Sequence, residues 1–377
     1  MIPDYDYLIV GAGFAGMVLA ERLGSVGKRC LIVDKRDHIG GNCYDRKDNH
    51  GIRYHVYGPH YFRTNSTSVR TYLSRFTEWR EVSYRVRVFT KGKHWSFPVN
   101  LQTFRQLTDN TEATEADFKA YLEKNAQSIT NPANAKEAIL AVVGEELYNL
   151  FYAGYTAKQW GRPPEQLDAS VTRRIPIRTN ADDRYFQDEF QALPREGYTS
   201  LFERMLEASG AELLLNTDYR SVRANAHFGH TIYTGPLDEY FDCRWGTLPY
   251  RTLRFELEEH LADQNGFIQP ALQINHPGPE SFTRTVELKH ITGQQGSWTN
   301  IVREFPSEYK AGQSEPYYPV PGADSQSLAQ RYRDLANKEL AVTFVGRLAE
   351  YRYLNMDQVV GGALHVFDKM NVARNTA

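Results

Sequence analysis

Few folds accommodate the stretch from Tyr7 to Asp34. Tyr7-Leu8-Ile9-Val10 reads as a buried parallel strand, and it runs straight into Gly11-Ala12-Gly13-Phe14-Ala15-Gly16. Val18, Leu19 and Leu23 follow at helical spacing, and a second apolar run, Cys30-Leu31-Ile32-Val33, ends on Asp34. Strand, glycine turn, helix, strand and acid, in that order, make the first unit of a dinucleotide-binding domain. Gly11 permits the tight turn, Gly13 lets the backbone approach a pyrophosphate, and Gly16 allows helix and strand to pack closely. The opening turn of the helix, with Phe14 and Ala15, offers its unpaired N–H groups to the phosphates. Asp34, 18 residues beyond Gly16, is placed for a ribose hydroxyl.

This fingerprint does not separate NAD from FAD. The following residues, Asp34-Lys35-Arg36-Asp37-His38-Ile39-Gly40-Gly41-Asn42, favour FAD. A glycine pair just past the ribose acid resembles the second signature of flavin enzymes of the amine-oxidase type, where it lets the chain pass close to the cofactor. Lys35, Gly41 and Asn42 are assigned to the cofactor on that basis; an ordinary loop is the plainer alternative.

The chain has 377 residues, 41% hydrophobic and 24% charged, enough for two or three domains at roughly 150 residues each. Cys30, Cys43 and Cys243 lie far apart, which argues against a disulfide framework and fits a reducing compartment. The net charge of −2 comes from interspersed signs, so no basic face marks a nucleic-acid partner. The apolar stretch from Tyr7 is too short to span a bilayer, and Asp4 and Asp6 precede it where a secretory signal carries Lys or Arg. A cytoplasmic protein without a membrane span is expected. His38, His55, His60 and His94 fit no usual ligand spacing, so no metal site is expected. There is no GxSxG, HExxH, kinase or P-loop signature. Aromatic residues make up 13%, which serves either core packing or contacts to a large ligand.

Further along, Tyr84 to Phe97 alternates as strands do, and Glu115 to Trp160 turns helical. Asn134 with Glu137 reads as a capping box, and Ile139, Leu140, Val143, Leu147, Leu150 and Phe151 form an apolar stripe. Tyr185 to Pro194 and Leu253 to Glu304 read as short strands. Leu213 to Ser221 and His230 to Thr234 read as strands returning to the first domain. Ser327 to Leu335 is expected to be helical, Phe344 to Arg347 a strand ending in glycine, and Asp357 to Met370 a last helix.

Seven segments remain to be placed: Gly154-Tyr155-Thr156-Ala157-Lys158-Gln159-Trp160-Gly161, Arg174-Ile175-Pro176-Ile177-Arg178, Asp183-Arg184-Tyr185-Phe186, Tyr233-Thr234-Gly235-Pro236, Phe282-Thr283-Arg284, Glu315-Pro316-Tyr317-Tyr318-Pro319 and Gly346-Arg347-Leu348-Ala349-Glu350-Tyr351. The last continues through Tyr353 to Asn355-Met356-Asp357-Gln358-Val359. Together they resemble one family, the bacterial UDP-galactopyranose mutases. In order, these segments span nearly the whole chain. The resemblance implies an α/β fold: a Rossmann-like FAD-binding domain with an inserted helical bundle and an antiparallel β-sheet domain. The implied division is FAD domain in 1–80, 205–242 and 323–377, sheet domain in 81–104, 173–204 and 243–322, and helical substrate domain in 105–172.

The resemblance also implies roles. Trp160 and Tyr155 would hold the nucleobase of a nucleotide sugar, with Tyr185 and Phe186 alongside, and Phe151 and Asn275 would join the substrate contacts. Arg178 and Arg284 would clamp the diphosphate, because a planar guanidinium matches phosphate oxygens and stays charged. Tyr318 and Tyr353 would add hydroxyl contacts. Arg347 would lie near flavin and phosphate, His60 beside the flavin ring, and Tyr353, Met356, Gln358 and Val359 along the cofactor. The implied reaction interconverts UDP-galactopyranose and UDP-galactofuranose, with flavin N5 of reduced FAD forming an adduct at the anomeric carbon. An external reductant and a homodimer come with it. Plainer readings exist: Trp160 as bundle core, Arg178 and Arg284 as surface ion pairs, Tyr318 and Tyr353 as packing aromatics, His60 as a loop brace. The rival functions are an amine-oxidase-like oxidoreductase and a nucleotide-sugar binder without turnover.

One departure stands out. Gly58-Pro59-His60-Tyr61-Phe62-Arg63-Thr64-Asn65 matches a family loop that usually reads GPHIFHTN, with Arg63 replacing the second histidine. Arginine is longer and only donates, while neutral histidine also accepts. Arg63 either points to solvent or a phosphate, or it changes the sugar to UDP-N-acetylgalactosamine or a 6-deoxy sugar on a thymidine carrier such as dTDP-fucose.

Overall fold

The computed structural model describes residues 5–173, 175–320 and 322–370. Asp4, Arg174 and the outer ends of the 1–80 and 323–377 segments lie outside the described residues. The strand Tyr5–Val10 is the middle of a five-stranded parallel sheet, between Cys30–Val33 and Phe228–Tyr233, with Glu212–Leu214 and Val342–Phe344 at the edges. Three separate stretches of chain therefore build one sheet. Every residue of Cys30–Val33 is buried, as a continuous apolar run predicts for a strand covered on both faces. The helix Phe14–Gly24 packs on the last helix, Met356–Lys369, and on Tyr198–Ser209. Gly16 makes the close approach to the strand possible, since a Cβ there would overlap the Gly11 carbonyl oxygen.

A second sheet of seven strands stands beside the first. Its order is Tyr318–Pro319, Tyr250–Leu261, Trp298–Glu308, Arg284–Val286, Gln273–Asn275, Val86–Thr90, Lys93–Phe97, antiparallel except between Gln273–Asn275 and Val86–Thr90. Tyr250–Leu261 and Trp298–Glu308 pair without a break from Arg251–Glu308 to Leu261–Trp298. They are long, not short as the sequence suggested, because the turn-forming Gly266, Pro270, Pro277 and Gly278 all fall between the two strands.

Other boundaries also move. Among the described residues of 173–204, only an isolated bridge, Arg184 to Arg85, joins the seven-stranded sheet. Phe190–Pro194 pairs instead with Phe62–Thr64 and Trp79–Glu81. Tyr198–Ser209 joins the cofactor domain because Asp45 accepts from the Tyr198 and Thr199 amides and caps it from that side. Tyr219–Ser221, expected as the end of a strand, instead opens the helix Tyr219–Arg223, with Asp218 accepting from the Arg220 amide at its start. The helical region opens at Leu101 and not at 105, because Asn100 and Thr103 form a reciprocal capping box.

The bundle comprises Leu101–Thr108, Glu115–Asn125, Ala135–Leu147 and Ala153–Trp160. All six residues of the apolar stripe from Ile139 to Phe151 are buried. The helix is not continuous through them: Gly144 has φ +76°, and Tyr148–Tyr152 forms a π-helical turn. Asn134 caps Ala135–Leu147 by accepting from the Glu137 amide, but the Glu137 carboxylate returns to the Asn134 side chain and the Ala133 amide, not to the Asn134 amide. No helix among the described residues is long and apolar enough to cross a membrane.

Two contacts dock the end of the bundle on the large sheet. Gly154 lies so close to Pro277 that a Cβ would overlap its carbonyl oxygen. Four residues on, Lys158 Nζ donates to the carbonyls of Glu280 (2.7 Å) and Phe282 (2.9 Å). Gly154→Ala is expected to lower the thermal midpoint, at a cost on the order of 1–3 kcal/mol for overpacking against backbone. Calorimetry checks it; an unchanged midpoint would mean that the 277 turn yields freely.

Candidate functional site

Two cavities meet inside the molecule. The first, about 260 Å³, lies at the carboxyl ends of the parallel strands. Gly11, Gly13, Phe14 and Ala15 form its floor, and Asp34, Lys35, Gly41 and Asn42 one side. Gly11 has φ +104°, and a Cβ there would collide with Thr234 Oγ1. Gly41, at φ +55°, passes Gly13 so closely that its Cβ would stand 3.2 Å from the Gly13 Cα. Gly13 caps the helix with no side-chain acceptor, which leaves the first-turn N–H groups for an anion. Asp34 accepts from the amides of Ala12 (2.8 Å) and Arg36 (2.9 Å), so its carboxylate is held in place with acceptor capacity to spare for a ribose. These donors, glycines and acid fit FAD.

Arg36 and Glu315 tie this cavity to the second sheet. Arg36 Nη2 donates to Glu315 (3.1 Å) and Asn42 (2.9 Å), and its guanidinium stacks 4.4 Å from the Tyr57 ring centre. Lys35 stands 3.3 Å from the same carboxylate. Burial opposes the charge on Glu315, but Arg36 and Lys35 outweigh it and hold the carboxyl below its ordinary range.

The second cavity, about 580 Å³, lies between the bundle, the seven-stranded sheet and the loop carrying Tyr185 and Phe186. His60, Arg347 and Met356 border both cavities, so the two share a wall. Arg284 enters from the sheet. Its Nε donates to Tyr155 Oη (2.7 Å), and Nη1 stands 3.4 Å from Glu304, which is 1% exposed. Burial alone would weaken the guanidinium's charge, but Glu304, Tyr155 and Tyr318 together outweigh it and hold Arg284 protonated. Burial also pushes the Tyr155 phenol up to about 12. Tyr318 and Tyr353 stack with ring centres 5.5 Å apart, and Arg347 lies 5.8 and 5.5 Å from those centres while donating to the Leu354 carbonyl. Trp160 closes the far end beside Val171. Arg63 is on the wall too, with Nη1 2.8 Å from Asp188 and the guanidinium 4.3 Å from the Phe186 ring centre.

Most residues singled out in the sequence thus converge on the two cavities. Five residues lie elsewhere than expected. Phe151 does not line the second cavity; it packs against Trp95 and Phe97 inside the bundle. Asn275 is buried behind Gln273, whose amide donates to it at 2.8 Å, and Gln273 takes the place on the wall. Gln358 and Tyr353 line the second cavity and not the first, the Gln358 side chain being spent on the Asn355 amide that opens the last helix. Arg178 lies off the wall, its Nη1 donating to the carbonyls of Asp182 (3.2 Å) and Arg184 (2.5 Å). Arg178 is 7% exposed, and its Nε and Nη2 have no partner among the described residues. Val359 lines the first cavity, and Gly16 shapes its floor without lining it. The sequence reading missed Arg36, Gln273, Tyr84 and Asp188. Tyr84 and Gln273, joined by a 2.5 Å hydrogen bond, carry no local signal because 189 residues separate them. Among the described residues no group of His, Cys, Asp or Glu could hold a metal ion.

A family model described as UDP-galactopyranose mutase matches residues 150–353, and one described as an NAD(P)-binding Rossmann-like domain matches residues 9–76. A Klebsiella pneumoniae protein named "Probable UDP-galactopyranose mutase" is 36% identical over 97% of this chain and 94% of its own. The dTDP-fucopyranose mutase of Escherichia coli is 35% identical over 95% of this chain and 96% of its own. A crystal structure of reduced UDP-galactopyranose mutase superposes with a TM-score of 0.77 over 97% of this chain and 93% of its own, at 16% identity, and supports the fold.

The first cavity yields a direct expectation. Purified protein carries non-covalent FAD, seen as a flavin absorption spectrum released on denaturation, and Gly11→Ala loses most of it. A Gly11→Ala protein with the full flavin complement would contradict the role given to that turn.

Proposed function

The chain belongs to the UDP-galactopyranose mutase family, and from that premise we propose that it interconverts UDP-galactopyranose and UDP-galactofuranose in the cytoplasm. The observation that carries the proposal is the shared wall: His60, Arg347 and Met356 stand between a dinucleotide cradle and a cavity holding a fixed, half-buried arginine. Isomerisation needs no net electrons, so FAD, held reduced by an external reductant, supplies nucleophilic chemistry and not oxidation. The protein's part is position and charge. Arg284, oriented by Tyr155, keeps donors for the diphosphate and stabilises it as it departs from the sugar. Tyr318, Tyr353 and Arg347 line the same route, and the Trp160 indole offers a flat face to the pyrimidine. The two unpartnered nitrogens of Arg178 leave its present seat unsaturated, so exchange of two carbonyls for a diphosphate is favourable. A homodimer is part of the proposal, and light scattering tests it.

Turnover is expected only with reduced flavin, followed as conversion of UDP-galactopyranose in the presence of dithionite. Arg284→Ala and Arg178→Ala should each lower kcat/KM at least roughly tenfold, the loss of a charge-assisted contact of about 1.5–3 kcal/mol. Equal turnover by oxidised enzyme, or wild-type rates in both variants, would count against the reading.

A second reading concerns the sugar, and Arg63 on the cavity wall favours it. Stacking on Phe186 and pairing with Asp188 hold the guanidinium in the wall, where its remaining N–H groups can meet an acyl oxygen or a hydroxyl. We propose that Arg63 widens or shifts selectivity toward UDP-N-acetylgalactosamine or dTDP-fucose. The check is kcat/KM for the three nucleotide sugars in wild type and Arg63→His. If UDP-galactose leads in both and the ranking is the same, Arg63 does not read the sugar.

A further inference from the structure

Three side chains border both cavities, and two have a settled hydrogen-bonding sense. Arg347 only donates, and Met356 offers a weak thioether acceptor. His60 is the group whose ring nitrogens can act either way.

The surrounding backbone removes that choice. His60 Nδ1 lies 2.9 Å from the Gly58 carbonyl oxygen, which only accepts, so Nδ1 carries the hydrogen. In a neutral ring Nε2 is then a bare lone pair. The His60 backbone amide, which only donates, lies 3.0 Å from His55 Nδ1, so His55 has its own hydrogen on Nε2. His55 is 4% exposed and stacks edge-on with Tyr198 at 5.6 Å between ring centres, so it cannot turn away. Between the two histidines, Gly58 sits at φ +83°, and a Cβ there would meet the Phe255 ring at 2.8 Å. That conformation turns the Gly58 carbonyl back toward His60. Burial, the largest influence on both rings, lowers each to about 3, which keeps them neutral at ordinary pH.

We infer that His55 is a positioning residue that holds the His60 backbone so that His60 keeps its hydrogen on Nδ1 and presents an accepting Nε2 to the wall between the cavities. Whatever meets His60 there must bring an N–H or O–H, such as a sugar hydroxyl or a ring N–H of a reduced flavin. The class of partner rests on the mutase reading; the tautomer does not.

The test is ring nitrogen–hydrogen correlation NMR of the holoenzyme labelled with 15N-histidine, assigned with His60→Gln and His55→Asn. His60 should show a protonated Nδ1 and a bare Nε2, and His55 the reverse. A hydrogen on His60 Nε2, or doubly protonated rings at neutral pH, overturns the inference whatever the enzyme turns over. Kinetics give a second arm. His55→Asn, whose side-chain oxygen can accept from the same amide, should preserve the His60 pattern and rescue turnover. His55→Leu should lose at least roughly tenfold in kcat with KM unchanged and the flavin retained. Wild-type kcat in His55→Leu, or an altered His60 pattern in His55→Asn, overturns it. If His55→Leu does not fold, the wild-type and His55→Asn spectra decide. If no variant isomerises any sugar, the mutase reading fails and the tautomer result still stands.

Discussion

The opening turn of the helix Phe14–Gly24 sets the terms for the rest of the molecule. Its cap, Gly13, has no side chain to accept from the exposed N–H groups, so the fold keeps a focus of partial positive charge at the carboxyl end of its central strand. Everything nearby keeps that focus open to a large anion. Gly11 turns the backbone at φ +104°, Gly41 slides past Gly13, and Asp34 steadies the Ala12 amide at the lip. A side chain at Gly11 would meet Thr234 and one at Gly16 would meet the Gly11 carbonyl, so little freedom remains to rebuild the turn.

The second cavity solves a different electrostatic problem. Arg284, half-buried, stands 3.4 Å from the buried Glu304, and replacing a buried ion pair by apolar residues is often neutral or stabilising. What the pair supplies is orientation. Glu304 holds Arg284 from one side and Tyr155 from another, so the cation reaches the cavity with part of its fork already committed. Binding a diphosphate there costs little rearrangement, which is the preorganisation that catalysis of a charge-developing step requires.

How much of this was legible in the sequence depends on distance along the chain. The dinucleotide unit reads well because strand, glycines, helix and acid lie within one short stretch and obey one geometry. The discontinuous cofactor sheet was legible from apolar runs near residues 213, 230 and 344, and the bundle from its apolar stripe. Pairings were not. That Phe190–Pro194 joins Phe62–Thr64 depends on register between segments more than a hundred residues apart. The helix at Tyr219–Arg223 was hidden because a single capping aspartate overrode β-prone residues. Phe151 carries the same local signal whether it faces a cavity or Trp95, and the face is decided by the kink at Gly144 and the π turn after it. Gln273 and Asn275 stand two apart on one strand and so share a face, and only the position along the strand tells which reaches the wall.

The bridge from Lys35 and Arg36 to Glu315 has a thermodynamic reach beyond its own three residues. It fastens the segment that begins at Asp34 to the stretch that carries Tyr317 and Tyr318. Order imposed on one end is therefore passed to the other, and two ligands that each favour the fastened arrangement share one coupling free energy. Reciprocity then binds them: by whatever factor the dinucleotide tightens the hold on a sugar nucleotide, the sugar nucleotide tightens the hold on the dinucleotide by the same factor.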